Sequence, residues 1–166
     1  SYTVDFAEVH GQSYGVRAAL IAAAGGHNLL LSGVAGSGKT MIAKRIPTIL
    51  PPLSREENIE ITKVYSVAGL LPPGQSLLNH RPFRTPHHTI TTAALVGGSA
   101  QGGVVPGELA LASRGVLFLD ELPLFSEASI EALRQPIEEK QVIISRLNGT
   151  FRYPADCLLV AAMNPC

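Results

Sequence analysis

Residues 33–40 read GVAGSGKT, three glycines followed by a lysine and a threonine in the order GxxxxGK[ST]. Glycines let consecutive backbone N–H groups turn inward around an anion. A helix that starts at the end of such a loop adds the positive end of its dipole. The pattern is one that cradles phosphate oxygens, with Lys39 adding a full charge toward the β and γ phosphates and Thr40 a hydroxyl for Mg²⁺. ATP and Mg²⁺ are therefore the expected ligands. Gly33, Val34, Ala35, Gly36, Ser37, Gly38, Lys39, Thr40 and Met41 are expected around the nucleotide.

A second set of groups complements the first. VLFLDE, 116–121, ends an apolar run with two acids, and the carboxyl ends of parallel strands are where open α/β sheets meet their ligands. Asp120 suits the metal and Glu121 suits activation of an attacking water. The next apolar run, LLVAAMN, ends in Asn164, an uncharged polar group able to orient water near a γ phosphate. HRPFRTPHHT, 80–89, holds three histidines, two arginines and two prolines without an acid. Thr85 is expected to cap a helix that begins at Pro86 and runs to Gly97, after a short strand at 81–83. On such a helix His87 and His88 diverge by about 100°, which does not suit a one-face metal pair. Capping and packing, or an anion-facing role for Arg84 and the histidines, remain the two readings.

The elements that must position these groups alternate between strand and helix, the pattern of a parallel sheet covered on both faces. LLL at 29–31, VLFLD and LLVAAMN read as buried strands, and 18–24 continue a helix that Gly25 and Gly26 end. Ser54 and Glu57 form a capping box, opening a helix with Ile61, Val64, Tyr65 and Ala68 on one face. Ser126 caps another, running toward Pro136. Asn148-Gly149, between β-branched and aromatic residues, signals a hairpin. A chain of 166 residues with 46% hydrophobic and 16% charged residues fits one α/β domain, residues 1–166, and no apolar run has membrane-spanning length. Two cysteines build no disulfide framework, so a reducing cytoplasm is expected. The formal charge is zero, so any nucleic-acid surface must be local. No acid lies between Glu60 and Glu108, nor between Lys140 and Arg152.

The order of phosphate loop, LFLDE and AAMNP resembles the AAA+ ATPases, with Asn164 as the sensor-1 residue. VHGQSYGVRAALIAAAGGHNLLLSGVAGSGKT, RPFRTPHHT, PGELALASRGVLFLDELP and YPADCLLVAAMNPC resemble, more specifically, the magnesium-chelatase-like ComM/YifB family over almost the whole chain. That resemblance implies a P-loop NTPase core with Glu121, Lys39 and Asn164 catalytic. It places Val9, His10 and Gln12 by the adenine and a glycine-rich insertion, 97–108, in the second core helix. It also implies a pre-sensor-1 hairpin facing the pore of a homo-hexamer, where Arg146, Asn148 and Arg152 meet single-stranded or branched DNA. By the same resemblance the chain is an excised core ending after sensor 1, with the lid and arginine finger outside it, expected to bind ATP or ADP and to hydrolyse slowly alone. Cys166 matches the start of the family's NPCPCG segment. The work implied is DNA translocation or branch migration. The alternatives are a metal-insertion motor subunit of magnesium-chelatase type, and a protein-remodelling or nucleotide-sensing module.

Overall fold

A computed structural model describes residues 28–33, 38–75, 77–100 and 103–164. Its strands and helices, in chain order, are β1 (Leu29–Ser32), α1 (Lys39–Ile49), α2 (Arg55–Val67), β2 (Phe83–Arg84), α3 (Thr92–Val96), β3 (Gly98–Ala100), β4 (Gly103–Val105), α4 (Glu108–Leu111), β5 (Val116–Leu119), α5 (Glu127–Glu139), β6 (Gln141–Arg146), β7 (Gly149–Pro154) and β8 (Leu158–Met163). A 3₁₀ turn, Leu122–Leu124, precedes α5. The central sheet has the order β1-β8-β5-β2, and every pair in it is parallel. Two antiparallel hairpins, β3–β4 and β6–β7, stand apart from it.

Alternation along the central strands divides the core between the two sheet faces. Val116, Phe118, Leu158, Val160 and Ala162 pack with Ile42, Ala43, Ile46 and Ile49 of α1. Leu117, Leu119 and Ala161 pack on the other face with Leu95, Leu109, Leu133, Val142 and Ile144. Burying a side chain such as Ile42 or Ile46, both essentially inaccessible, contributes about 1.5–3 kcal/mol. The expected parallel sheet covered on both faces is present. LLL differs in one respect: Leu31 is buried, but Leu30 is 56% exposed on the face opposite α1's.

The capping box forms as the sequence indicates. Glu57 N–H donates to Ser54 Oγ at 3.1 Å, and Ser54 N–H donates to Glu57 Oε1 at 2.8 Å. That backbone donor holds the Glu57 carboxyl below the usual range. The helix α2 buries Ile61 and Val64, with Tyr65 half-buried and its hydroxyl donating to Leu111 O at 2.8 Å. Ser126 caps α5, which runs through Pro136 to Glu139 and closes on Lys140 in the left-handed region. A proline near a C-terminus loses only one amide bond, so the last turn survives it.

The segment after β2 departs from expectation. No helix starts at Pro86: Ile90 N–H closes a turn on His87 O at 3.0 Å, and Thr89 N–H donates to His87 Nδ1 at 3.3 Å. Thr91, not Thr85, is the cap, accepting from Ala94 N–H at 3.1 Å, and α3 is five residues long. Three threonines and an isoleucine in a row are stiff at χ1, and threonine hydroxyls compete for backbone donors, so the helix starts only at the last threonine of the run. The strand lies at 83–84 rather than 81–83. With no helix to separate them, the rings of His87 and His88 stack with centroids 4.1 Å apart, and His88 meets Phe125 edge-on at 6.4 Å. The insertion at 97–108 forms the β3–β4 hairpin between α3 and α4.

Backbone proximity sets one strict requirement. Gly115 N–H donates to Ala112 O, Gly115 O accepts from Leu158 N–H, and Val116 N–H donates to Pro82 O, each at 2.9 Å. A Cβ at Gly115 would overlap Pro82 O and lie 2.7 Å from Pro82 N. Gly115→Ala is therefore expected to lower the unfolding free energy by about 3 kcal/mol or more, read from urea denaturation. A loss below about 1 kcal/mol would show that β2 and β5 can separate freely.

Candidate functional site

The first turn of α1 sorts its side chains by helical spacing. Lys39 shares a stripe with Ile42, Ala43 and Ile46, so packing of that stripe on the sheet draws the lysine against the strand ends, where it is only 9% exposed. Thr40 and Met41 fall on other faces and are exposed. Gly38 precedes them at φ 89° and accepts from Ile42 N–H at 3.0 Å. A side chain there would be strained, so the glycine allows the loop to enter the helix.

A buried ammonium needs oxygen around it. Lys39 Nζ donates to Gly33 O and, at 2.7 Å, to Asn164 Oδ1. Gly33 follows β1 and its N–H donates to Met163 O at 3.3 Å, extending the β1–β8 ladder by one step. Asn164 follows β8, which lies between β1 and β5. The β5–β8 register pairs Leu119 with Ala161, so Asp120 leaves the same edge on the other side of Asn164. Asp120 and Glu121 are exposed. Glu121 takes a left-handed backbone, φ 55° and ψ 53°, and its N–H donates to Asp120 Oδ1 at 2.9 Å. An unfavourable conformation for a non-glycine residue, held by its neighbour's carboxylate, turns the chain sharply off the strand at the edge where Lys39 sits.

Of the residues singled out from sequence, Gly33, Gly38, Lys39, Thr40, Met41, Asp120, Glu121 and Asn164 leave the carboxyl edge of β1, β8 and β5 or open α1 beside it. Val9, His10, Gln12, Val34, Ala35, Gly36, Ser37 and Cys166, and the helix read at 18–24, lie outside the described residues. The direct Lys39–Asn164 contact spans 125 positions and has no signal in a local motif.

The hairpin candidates separate. The turn centres one residue earlier than an Asn-Gly pair would put it: Arg146 pairs with Gly149, Leu147 and Asn148 form the corner, and Gly149 follows at φ 144°. Arg146 lies on the side of Val142 and Ile144, and its Nε donates to Ser99 Oγ of β3 at 2.7 Å. Arg152 pairs with Ile143 on the exposed face, and Leu147 stands fully exposed at the tip. Tyr153 hydroxyl donates to Val104 O at 3.3 Å, so the two hairpins are joined twice.

Arg84 is committed elsewhere than to an anion from solution. Its Nε and Nη2 donate to the two Glu108 oxygens at 2.6 and 2.8 Å, and this pairing raises its pKa. Glu108 was not among the residues the sequence pointed to. Arg114 similarly gathers Glu57, Glu60 and Asp156 at 3.0–3.3 Å. Burial pushes the Cys157 thiol up to about 12, leaving it inert. Among the described residues no helix is long and apolar enough to cross a membrane.

Comparison with known proteins places this geometry in context. The family model described as "Magnesium chelatase, subunit ChlI" matches residues 5–166. YifB of Salmonella typhimurium is 49% identical over 98% of this chain and 32% of its own length. Competence protein ComM of Haemophilus influenzae is 48% identical over 98% of this chain and 31% of its own. The chain therefore spans about a third of the curated relatives it matches. A chain in the cryo-EM-based complex of magnesium chelatase subunits BchI and BchD shares the fold with a TM-score of 0.66 at 20% identity, covering 93% of this chain and 50% of that one. The fold is that of a P-loop AAA+ core.

The bidentate pair gives this site a control. Arg84→Ala is expected to lower the unfolding free energy by about 1–3 kcal/mol, the cost of unpairing a half-buried carboxylate, while leaving ADP affinity unchanged. Urea denaturation and calorimetry on the same samples check both; a stable variant with weakened ADP binding would return Arg84 to the anion site.

Proposed function

The chain belongs to the magnesium chelatase, subunit ChlI, family, and on that premise we propose that it is the ATP-binding core of a ring-forming AAA+ ATPase whose hydrolysis drives translocation along DNA or branch migration. The observation that carries the nucleotide part is the Lys39 ammonium seated between two strand ends, at the edge where Asp120 and Glu121 leave the sheet. A buried cation, two exposed carboxylates and a helix start at one sheet edge suit a polyphosphate with a metal ion.

The donors fit Mg²⁺. Thr40 hydroxyl and Asp120 carboxylate are hard oxygen ligands, both exposed, and they are the residues that would hold it. Bound there, the ion supplies neutralisation of phosphate charge. Lys39 holds the β and γ phosphates, with Gly33–Met41 wrapping them. Glu121 orients the attacking water and accepts its proton. Asn164 contributes its amide at the γ phosphate, and Val9, His10 and Gln12 lie by the adenine. The working form is a cytoplasmic homo-hexamer, each active site completed by a neighbouring subunit.

One observation weighs against metal insertion, and another supports a polymer contact at the β6–β7 hairpin. Identity to YifB and ComM chains is near 50%, against 20% to the BchI–BchD chain, which weighs against metal insertion. The β6–β7 hairpin carries Arg152 exposed on one face and Leu147 exposed at its tip.

In the full-length protein, Lys39→Ala is expected to abolish ATP and ADP binding, and Glu121→Gln to keep binding but reduce turnover by about 10² or more. Calorimetry and phosphate release measure the two. Equal nucleotide affinity in wild type and Lys39→Ala would sink the nucleotide reading.

For the track, Arg152→Ala in the assembled ring should reduce the slope of log K against log salt for single-stranded DNA by roughly 0.7, and Arg146→Ala should reduce it by less. Arg152 is expected to show the larger effect, since Arg146 already serves Ser99. An unchanged slope with assembly intact would remove the hairpin from the DNA path.

A further inference from the structure

An ammonium can only donate, so the oxygen of the Asn164 amide must be the atom that faces Lys39 at 2.7 Å. This fixes the amide's orientation. Its NH₂ then turns away from Lys39. Asn164 is the first residue after β8, and the parallel register on both sides, Ser32 with Met163 and Leu119 with Ala161, holds that strand end between Gly33 and Asp120. The lysine stem is held from the other direction by the packing of α1. The position of Nζ is thus set jointly by α1, by Gly33 O and by the Asn164 carbonyl.

We infer that Asn164 is a positioning residue for Lys39: its side-chain carbonyl aims the ammonium, so it governs affinity for the phosphates Lys39 holds, including the β phosphate of ADP, besides any contact at the γ phosphate. The inference rests on the nucleotide reading above. It makes a separable claim, because a residue that touched only the γ phosphate or its water would be indifferent to ADP.

The conservative variant Asn164→Asp keeps the shape and replaces a neutral acceptor by a carboxylate. A carboxylate facing Lys39 forms a charge-assisted pair with it and competes with phosphate for the same cation. Asn164→Ala removes the acceptor and leaves the ammonium less well aimed.

The test uses the full-length protein with Mg²⁺ and ADP, in wild type, Asn164→Asp, Asn164→Ala and Lys39→Ala. Calorimetry should show ADP affinity weakened about tenfold or more by Asn164→Asp and by a smaller factor by Asn164→Ala. A second readout is acetylation of Lys39 in nucleotide-free protein, by mass spectrometry, relative to exposed Lys63 in the same chain. Asn164→Asp should slow it, because an ammonium clasped by a carboxylate is less open to the reagent, and Asn164→Ala should speed it. A general folding defect would expose Lys39 in both variants and cannot slow its labelling. ADP affinity unchanged in both Asn164 variants, with turnover alone reduced, overturns the inference and leaves the nucleotide reading standing. Wild-type protein that binds no ADP overturns both.

Discussion

A charge taken out of water has to be given oxygen, and the Lys39 ammonium obtains it from the ends of two different strands, Gly33 O after β1 and Asn164 Oδ1 after β8. That requirement ties together parts of the chain far apart in sequence. It works only because β8 lies directly beside β1, in parallel and in register, so that both strands finish at one edge. The two core clusters serve this end. One draws α1 and its lysine onto the sheet, and the other fixes β5 and β8 from the opposite face.

The same edge explains why the acids can be exposed while the lysine is not. Asp120 and Glu121 leave β5 through a left-handed residue, and the Asp120 carboxylate takes up the Glu121 amide at that corner. The turn carries the chain away from the sheet without covering the carboxylates. A buried cation and accessible carboxylates thus leave the sheet at the same edge.

Away from that edge, four arginines are already engaged in holding the fold. Arg84 is clasped by Glu108, Arg114 collects three acids, and Arg81 donates to Pro51 O and Arg114 O at 2.7 and 2.6 Å. Arg146 joins the two hairpins through Ser99. A basic side chain in an acid-free stretch of sequence is therefore a weak guide to a free positive surface. The acid that neutralises it, Glu108 for Arg84, arrives from another element.

By itself the sequence determined what depends on neighbouring residues. Two acids closing VLFLDE, the Ser54–Glu57 capping box and the Ser126 cap each state their geometry within a few positions, because a cap is built from adjacent backbone groups. The apolar runs likewise indicated a parallel sheet. Only the tertiary structure decided what depends on distant partners. It placed Asn164 on Lys39, Glu108 on Arg84 and Ser99 on Arg146, and it put Arg146 and Arg152 on opposite faces of one hairpin. One boundary was misread within the local sequence itself: the cap is Thr91 rather than Thr85, at the end of a run of β-branched side chains. Local rules fix an element's character, but the partners of its charges are set by packing between elements that no short stretch contains.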